Sequence, residues 1–328
     1  MSVIKFRMAA RCEAAGRAEN EDNFQLDNDL DNDLWEFTSD EEIRLSRRGA
    51  LQVVCDGMGG ANAGEVASAL AVETIKQHFA QEKLTAAVLS SASSIKKHIE
   101  KAIVAADAVI KTESRADARK EGMGSTIVLA WFVGDKVYVG WCGDSRAYRY
   151  NPAGGLEQLS HDHSYVQELV DTGKLKKELA FDHPDSNIIT RNLGDPNRTA
   201  KPDVKAFPLR NGDIILLCSD GLCDVLRDSE IENLIASNSR TMTGCRDALW
   251  EAARNAGWND NVTIGLCQIL SGGKKTAKAI KKSPSGKLSV KIKGLIAGLA
   301  ATVVLLLGVI VYLQRDKIES FFLLYKNG

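Results

Sequence analysis

Through the first 270 residues, short strand-like apolar runs alternate with amphipathic stretches of helical period. Leu51-Gln-Val-Val-Cys55, Lys136-Val-Tyr-Val-Gly-Trp-Cys142, Ile214-Ile-Leu-Leu-Cys218 and Val262-Thr-Ile-Gly-Leu-Cys-Gln-Ile269 are rich in β-branched and aromatic residues and predict strands. Ser125 to Phe132 reads as another strand, joined to 136–142 through Gly134-Asp135, which predicts an antiparallel hairpin. Asn62–Glu82, with Val66, Leu70, Ile75 and Phe79, predicts a helix, as does Ser93–Glu113, with Ile99, Ile103, Ala106 and Ile110 on one face. Paired helices and hairpins point to an α+β fold rather than a repeating βαβ unit.

Acidic residues sit where these runs begin or end. Asp56, Asp144 and Asp220 follow predicted strands, Asp260 precedes one, and Glu21-Asp22 lies upstream. One such aspartate is ordinarily a turn or cap residue. Several of them, dispersed along the chain, predict strand ends converging on one electronegative pocket. Like charges at close range repel strongly in a low dielectric, so such a pocket calls for cations. An all-oxygen ligand set favours hard divalent ions such as Mg2+ or Mn2+.

From Ser271 the pattern changes. Eight lysines (274, 275, 278, 281, 282, 287, 291 and 293) lie among Gly-Gly and Ser-Pro-Ser-Gly, predicting a mobile basic linker over 271–293. Gly294–Leu313 then gives twenty residues without a charge. As a helix it would be ~30 Å long, the thickness of a hydrocarbon core, and it predicts a single transmembrane span followed by a short tail, 314–328. The lysines on its N-terminal side place residues 1–270 in the cytoplasm, which makes the expected location the cytoplasmic (inner) membrane.

The formal net charge of −1 conceals an asymmetry: residues 1–270 hold 31 basic against 41 acidic residues, and residues 271–328 hold 11 against 2. An acidic portion over residues 1–270 argues against nucleic-acid binding. Seven cysteines, with no Cys-x-x-Cys pair, are expected to be reduced thiols, most of them packed in strands. The acidic segment 27–42 lacks the glycine and glutamate of a calcium loop and predicts a solvated surface loop.

Eight short motifs occur in order: Arg17-x-x-Asn-Glu-Asp22, Asp56-Gly-Met-Gly-Gly60, Gly124-Ser-Thr126, Gly143-Asp-Ser-Arg-Ala147, Asp162-His-Ser164, Ile189-Thr-Arg-Asn-Leu-Gly194, Ser219-Asp-Gly-Leu222 and Asp260-Asn-Val262. Together, over about residues 5–269, they resemble the metal-dependent Ser/Thr protein phosphatases of the protein phosphatase 2C type, particularly the bacterial branch. The resemblance implies a four-layer αββα sandwich that hydrolyses phosphoserine and phosphothreonine by in-line attack of a water bridging two divalent cations. It implies that Asp56 bridges the ions, with the Gly57 carbonyl a ligand to one and Asp220 and Asp260 completing the other. Glu21 and Asp22 would act through water, Asp144 and Asp224 would hold a third, weaker ion, and Arg17 would bind the substrate phosphate. The implied partners are phosphoproteins and an opposing Ser/Thr kinase.

Met58 departs from the eukaryotic pattern, in which a histidine at that position is proposed to protonate the leaving alkoxide. Methionine donates no proton, and bacterial relatives commonly share it. His161, His163 and His183 fall in the stretch corresponding to a variable flap beside the active site, where His163 is expected to serve a structural hydrogen bond. Two rival functions stay open at this point: a catalytically inactive phosphoprotein-binding homologue, and a hydrolase of small phosphomonoesters.

Overall fold

In the computed structural model, residues 3–32, 40–59, 63–257 and 259–275 are described. Their strands are β1 (Lys5–Glu13), β2 (Asp22–Asp27), β3 (Ile43–Arg44), β4 (Ala50–Met58), β5 (Gly124–Ser125), β6 (Ile127–Val133), β7 (Lys136–Cys142), β8 (Arg146–Asn151), β9 (Gly155–Gln158), β10 (Asp203–Pro208), β11 (Ile214–Cys218) and β12 (Val262–Ser271). Their α-helices are α1 (Ala63–Phe79), α2 (Ala92–Ala116), α3 (Tyr165–Asp171), α4 (Asp220–Cys223), α5 (Asp228–Asn238) and α6 (Met242–Asn255).

The strands form two antiparallel sheets, ordered β3-β1-β12-β11-β8-β9 and β10-β7-β6-β4-β2, with β5 paired to the end of β4. Side chains alternate across each strand, and this period assigns neighbours to different layers. Val53, Leu129 and Trp131 face Ile75, Phe79, Ile99 and Ile103 of α1 and α2. Val54, Val128 and Ala130 instead face the other sheet, meeting Met8, Leu217 and Ile269. On the far side of that sheet, Leu216 and Ile264 pack on Ile231, Ile235 and Leu249 of α5 and α6. The result is helices, sheet, sheet, helices. Burial of each large apolar side chain contributes about 1.5–3 kcal/mol.

Three details depart from the sequence reading. The strand expected over 125–132 is broken at Thr126, which leaves the ladder to bond the backbone of Asp56. The folded portion runs past 270: Ser271 pairs with Lys5, and Lys274 exchanges backbone hydrogen bonds with Leu209 and Asn211. The acidic segment is more than a solvated loop. Asp27 is fully buried, Asp31 pairs with Arg48, and Asp40 accepts the backbone N–H groups of Met242 and Thr243 at the start of α6. These acids are engaged by distant parts of the chain, which a local reading cannot anticipate.

The chain separates into units Met1–Lys278 and Ala279–Gly328. Most of the expected linker, the apolar stretch 294–313 and the tail lie outside the described residues. Among the described residues no helix is long and apolar enough to cross a membrane.

Candidate active site

Asp56 lies within β4, not at its end, because Gly57 and Met58 continue the strand by pairing with Ser125 and Gly124. Its backbone is held on both polar groups. The N–H donates to Thr126 Oγ1 at 3.1 Å, and the carbonyl accepts from Thr126 N–H at 2.8 Å and from Ser125 Oγ at 3.0 Å. Thr126 Oγ1 lies 2.7 Å from Ser145 Oγ, which ties this strand to the turn bearing Asp144. Asp22 stands directly opposite Asp56 on β2. Gly57 donates its N–H to Glu21 O at 3.1 Å, and a Cβ on Gly57 would lie 2.2 Å from Gly64 O. Only glycine allows that approach.

The other sheet brings the remaining carboxylates. Asp220 and Asp224 frame α4 immediately after β11, and Asp260 precedes β12. Asp22 is buried, and one of its oxygens accepts from both Ser219 Oγ and Thr263 Oγ1 at 2.7 Å. Asn261 organises the loop before β2. Its Oδ1 accepts Glu21 N–H at 2.8 Å, and its Nδ2 donates to Ala14 O at 2.9 Å and Glu19 O at 2.8 Å. Arg17, half-exposed at the rim, donates to Asp260 Oδ2 at 2.7 Å and Asn259 O at 2.9 Å.

These acids perturb one another. Burial and the neighbouring charges of Asp220, Asp22 and Asp144 push the Asp56 carboxyl well above the usual range. Asp220 is raised to about 6, by burial first and Asp260 second. Asp22 also rises to about 6, mainly through burial, against its two hydroxyl donors. Burial also raises Glu21, while Arg17 opposes the shift. Asp220 Oδ1 and Asp144 Oδ1 are buried acceptors without a partner. Unpartnered acceptors in a crowd of carboxylates fit hard divalent cations. Among the described residues no three such side chains close on a point by themselves, so carbonyls and water would have to complete any ligand shell.

Asp144 is raised well above normal by burial and by Asp220, Asp162 and Asp224, and Asp224 reaches about 7, again chiefly through burial. Asp144, Asp220 and Asp224 line a cleft of about 500 Å3. Val166, Val170 and Phe181, from the segment between Ser164 and Ile189, line it as well. Arg227 ties that segment to the start of α5: it donates to both Asp182 oxygens at 3.0 and 2.8 Å and lies 4.2 Å over the Phe181 ring.

Buried His163 has the structural role expected of it. Nδ1 accepts Gly143 N–H at 3.2 Å, so Nε2 carries the proton and donates to Asp203 Oδ2 at 3.0 Å. His161 pairs with Asp171 at 2.7 Å, and His183 Nδ1 accepts Asp185 N–H at 3.1 Å. All seven cysteines are free thiols; burial raises Cys55, and the neighbouring Cys218 together with burial raises Cys223, so both sulfurs are poor nucleophiles.

The sequence-predicted residues Arg17, Glu21, Asp22, Asp56, Gly57, Asp144, Asp220, Asp224 and Asp260 therefore form one connected neighbourhood. Sequence reasoning missed the supporting roles of Asn261, Thr126, Ser219 and Thr263. The first three lie inside quoted motifs, but nothing local distinguishes a side chain that braces a ligand from one that caps a turn.

Residues 33–260 match the family described as Protein phosphatase 2C. The chain belongs to that family. The serine/threonine phosphatase stp of Listeria monocytogenes serotype 4b is 36% identical over 218 residues, covering 66% of this chain and 84% of the relative. The serine/threonine protein phosphatase PstP of Mycobacterium tuberculosis is 32% identical over 220 residues, covering 67% of this chain and 40% of that one. A solved PstP catalytic domain in complex with two manganese ions superposes with a TM-score of 0.65 at 28% identity, covering 82% of this chain and all of that one. The protein is a metal-dependent serine/threonine protein phosphatase with the family's two-sheet fold.

Proposed function

We propose that this phosphatase removes phosphate from serine and threonine of proteins phosphorylated by a Ser/Thr kinase at the cytoplasmic membrane, using two divalent cations, Mn2+ or Mg2+. The carboxylate cluster around Asp56, with the orphaned oxygens of Asp220 and Asp144, carries the reading. Asp56, the Gly57 carbonyl, Asp220 and Asp260 would hold the two ions; Asp144 and Asp224, both lining the same cleft, would hold a weaker third. When bound, such ions neutralise a phosphomonoester dianion and supply a nucleophile stronger than bulk water at neutral pH.

The chain's own residues supply geometry. Thr126 and Ser125 fix the Asp56 backbone, and Ser219 and Thr263 fix one oxygen of Asp22. Arg17 offers a planar fork at the rim, suited to two phosphate oxygens. It is held by Asp260 in this structure, so phosphate must compete for it. Met58 contributes no proton to the leaving alkoxide.

An inactive homologue has no need for such mutual repulsion among its carboxylates, and hydrolysis of a phosphothreonine peptide on adding Mn2+ to stripped protein tests this. No turnover with either Mn2+ or Mg2+ would refute the metal centre. Faster hydrolysis of sugar phosphates than of phosphopeptides would favour the small-substrate reading. The membrane part of the proposal rests on the uncharged run Gly294–Leu313 and the eight lysines before it. A reporter that works only in the periplasm, fused to Gly328, should be active. Silence there, with a cytoplasmic reporter active at the same site, would refute the orientation. Release of intact protein by alkaline carbonate would refute the span.

A further inference from the structure

Asp107 of α2 is a buried acid outside the carboxylate cluster. Its Oδ1 accepts Gly194 N–H at 2.9 Å, and its Oδ2 accepts Ala200 N–H at 3.0 Å and pairs with Lys111 Nζ at 2.7 Å. Lys111 also donates to Arg198 O. One buried ion pair thus fixes both ends of the loop 194–200, and Gly194 enters it at φ +92°. The braced loop presents Arg198, and Lys201 follows it. Both are exposed, and neither has an acidic partner among the described residues.

Arg198 and Lys201 line a cleft of about 660 Å3 with Thr190, Arg191, Asn192 and Thr199. Two carboxylates, Glu168 and Asp195, also border it. Asp195 is turned into its own loop, where Oδ1 accepts Asn197 N–H at 2.8 Å, and Arg191 is partly offset by Asp203 at 3.5 Å. Cations and hydroxyls dominate the rest.

The cleft is mechanically joined to the catalytic strand. Leu193 and Ser125 exchange backbone hydrogen bonds at 3.1 and 2.8 Å, and Ser125 Oγ donates to Asp56 O at 3.0 Å. A Cβ on Gly124 would meet Asn192 Nδ2 at 2.7 Å and Met58 Cε at 3.5 Å, so Asn192 borders the strand end two residues beyond Asp56. From Asp56 to this Asn192 border of the cleft, two strand residues and one interstrand step span roughly 10 Å, which an extended peptide covers in about three residues.

We propose that this cleft is a second anion subsite, taking a carboxylate or a second phosphate about three residues from the phosphoresidue being hydrolysed. The inference rests on the protein-phosphatase reading and assigns it a substrate class. Guanidinium, ammonium and hydroxyl donors are the groups that bind both anions. The Asp107 brace holds the loop in place beforehand, which limits the ordering cost of binding.

The test is steady-state kinetics on phosphothreonine peptides with Gln, Glu or a second phosphothreonine three residues to either side, beside a chromogenic aryl phosphate. The wild type should favour the anionic peptides by about tenfold in kcat/KM, mostly through KM, and the Glu and phosphothreonine arms say which anion it prefers. Arg198→Ala combined with Lys201→Ala should reduce that preference to less than twofold, with aryl phosphate turnover unchanged. Lys201→Arg should retain it. Equal kcat/KM for neutral and anionic peptides in the wild type would overturn the subsite, as would a preference that survives the double variant. Failure of the wild type to hydrolyse even the aryl phosphate would overturn the phosphatase reading and the subsite with it.

Discussion

Stability and activity should move in opposite directions when Asp220 is changed to Asn. A carboxyl that titrates at about 6 rather than its usual 3.8 keeps its charge at neutral pH against about 3 kcal/mol. Its folded-state value lies above the unfolded one, so the folded protein binds that proton more tightly. This group therefore favours folding most below about pH 4, and its contribution falls as pH rises through about 6. Because Asp56 is raised by burial and by Asp22 and Asp144 as well as by Asp220, part of the strain would survive the substitution. We expect stripped Asp220→Asn to be more stable than stripped wild type by about 1–3 kcal/mol at pH 7.5, or about 2–8 °C in Tm for a domain of this size. Mn2+ should reverse the order: at a hundred times its Kd it adds about 2.7 kcal/mol to a competent site and little to a broken one. Differential scanning fluorimetry in EDTA and in Mn2+, beside phosphopeptide hydrolysis, measures both sides. The reasoning fails if the stripped variant melts at or below wild type, or if it keeps more than a tenth of wild-type kcat with Mn2+, a barrier change of only ~1.4 kcal/mol.

Gly57→Ala places a methyl 2.2 Å from Gly64 O and 2.6 Å from Glu21 O, both backbone atoms, so the strand must shift. Urea unfolding should show a loss of about 1–3 kcal/mol, and phosphopeptide kcat should fall at least tenfold. Arg17→Ala should raise KM for a phosphopeptide about tenfold with kcat changed less than threefold; a pure kcat loss would place Arg17 at the transition state instead. Asp40 is partly buried, but hydrogen bonds from Thr243 and Met242, with Arg7 nearby, hold it below the usual carboxylate range. Its contribution is present above the unfolded value and is lost as pH falls through the folded one. Asp40→Ala should therefore cost about 1–2 kcal/mol at pH 7, a gap that closes in acid when urea midpoints are compared across pH.

The strands with dense β-branched runs, β7 and β11, were legible to the residue, and α1 and α2 to within a few, because one face of each repeats at its own period. Strand β1 was not, since its Lys5, Arg7 and Arg11 interrupt the apolar signal and its partner β12 lies some 250 residues away. The clustered aspartates were readable because they sit at or close to the ends of apolar runs. Asp107 was not, because it sits on the interior face of a helix whose period it does not disturb, and only the folded loop 194–200 shows what it holds. Asp22 was singled out from its motif, but its hydrogen bonds from Ser219 and Thr263 join residues some two hundred positions apart, beyond any window of local pattern.

The segment facing the carboxylates is pinched at its neck. Ser164 bridges Ile189, Tyr165 N–H donates to Ile188 O at 2.8 Å, and Thr190 N–H donates to His163 O at 2.7 Å. Below the neck, His163 grips Gly143 in the turn after β7, and Leu193 grips Ser125 on β5, beside the end of β4. Everything between Ser164 and Ile189 therefore behaves as a cassette plugged into a fixed socket. Apart from the ties of Asp182 and Phe181 to Arg227 and of Asp171 to His161, its interior is anchored through that neck, away from the backbone that presents Asp56 and Asp144. The fold thereby separates the variable length of chain between Ser164 and Ile189 from the backbone that carries the clustered acids.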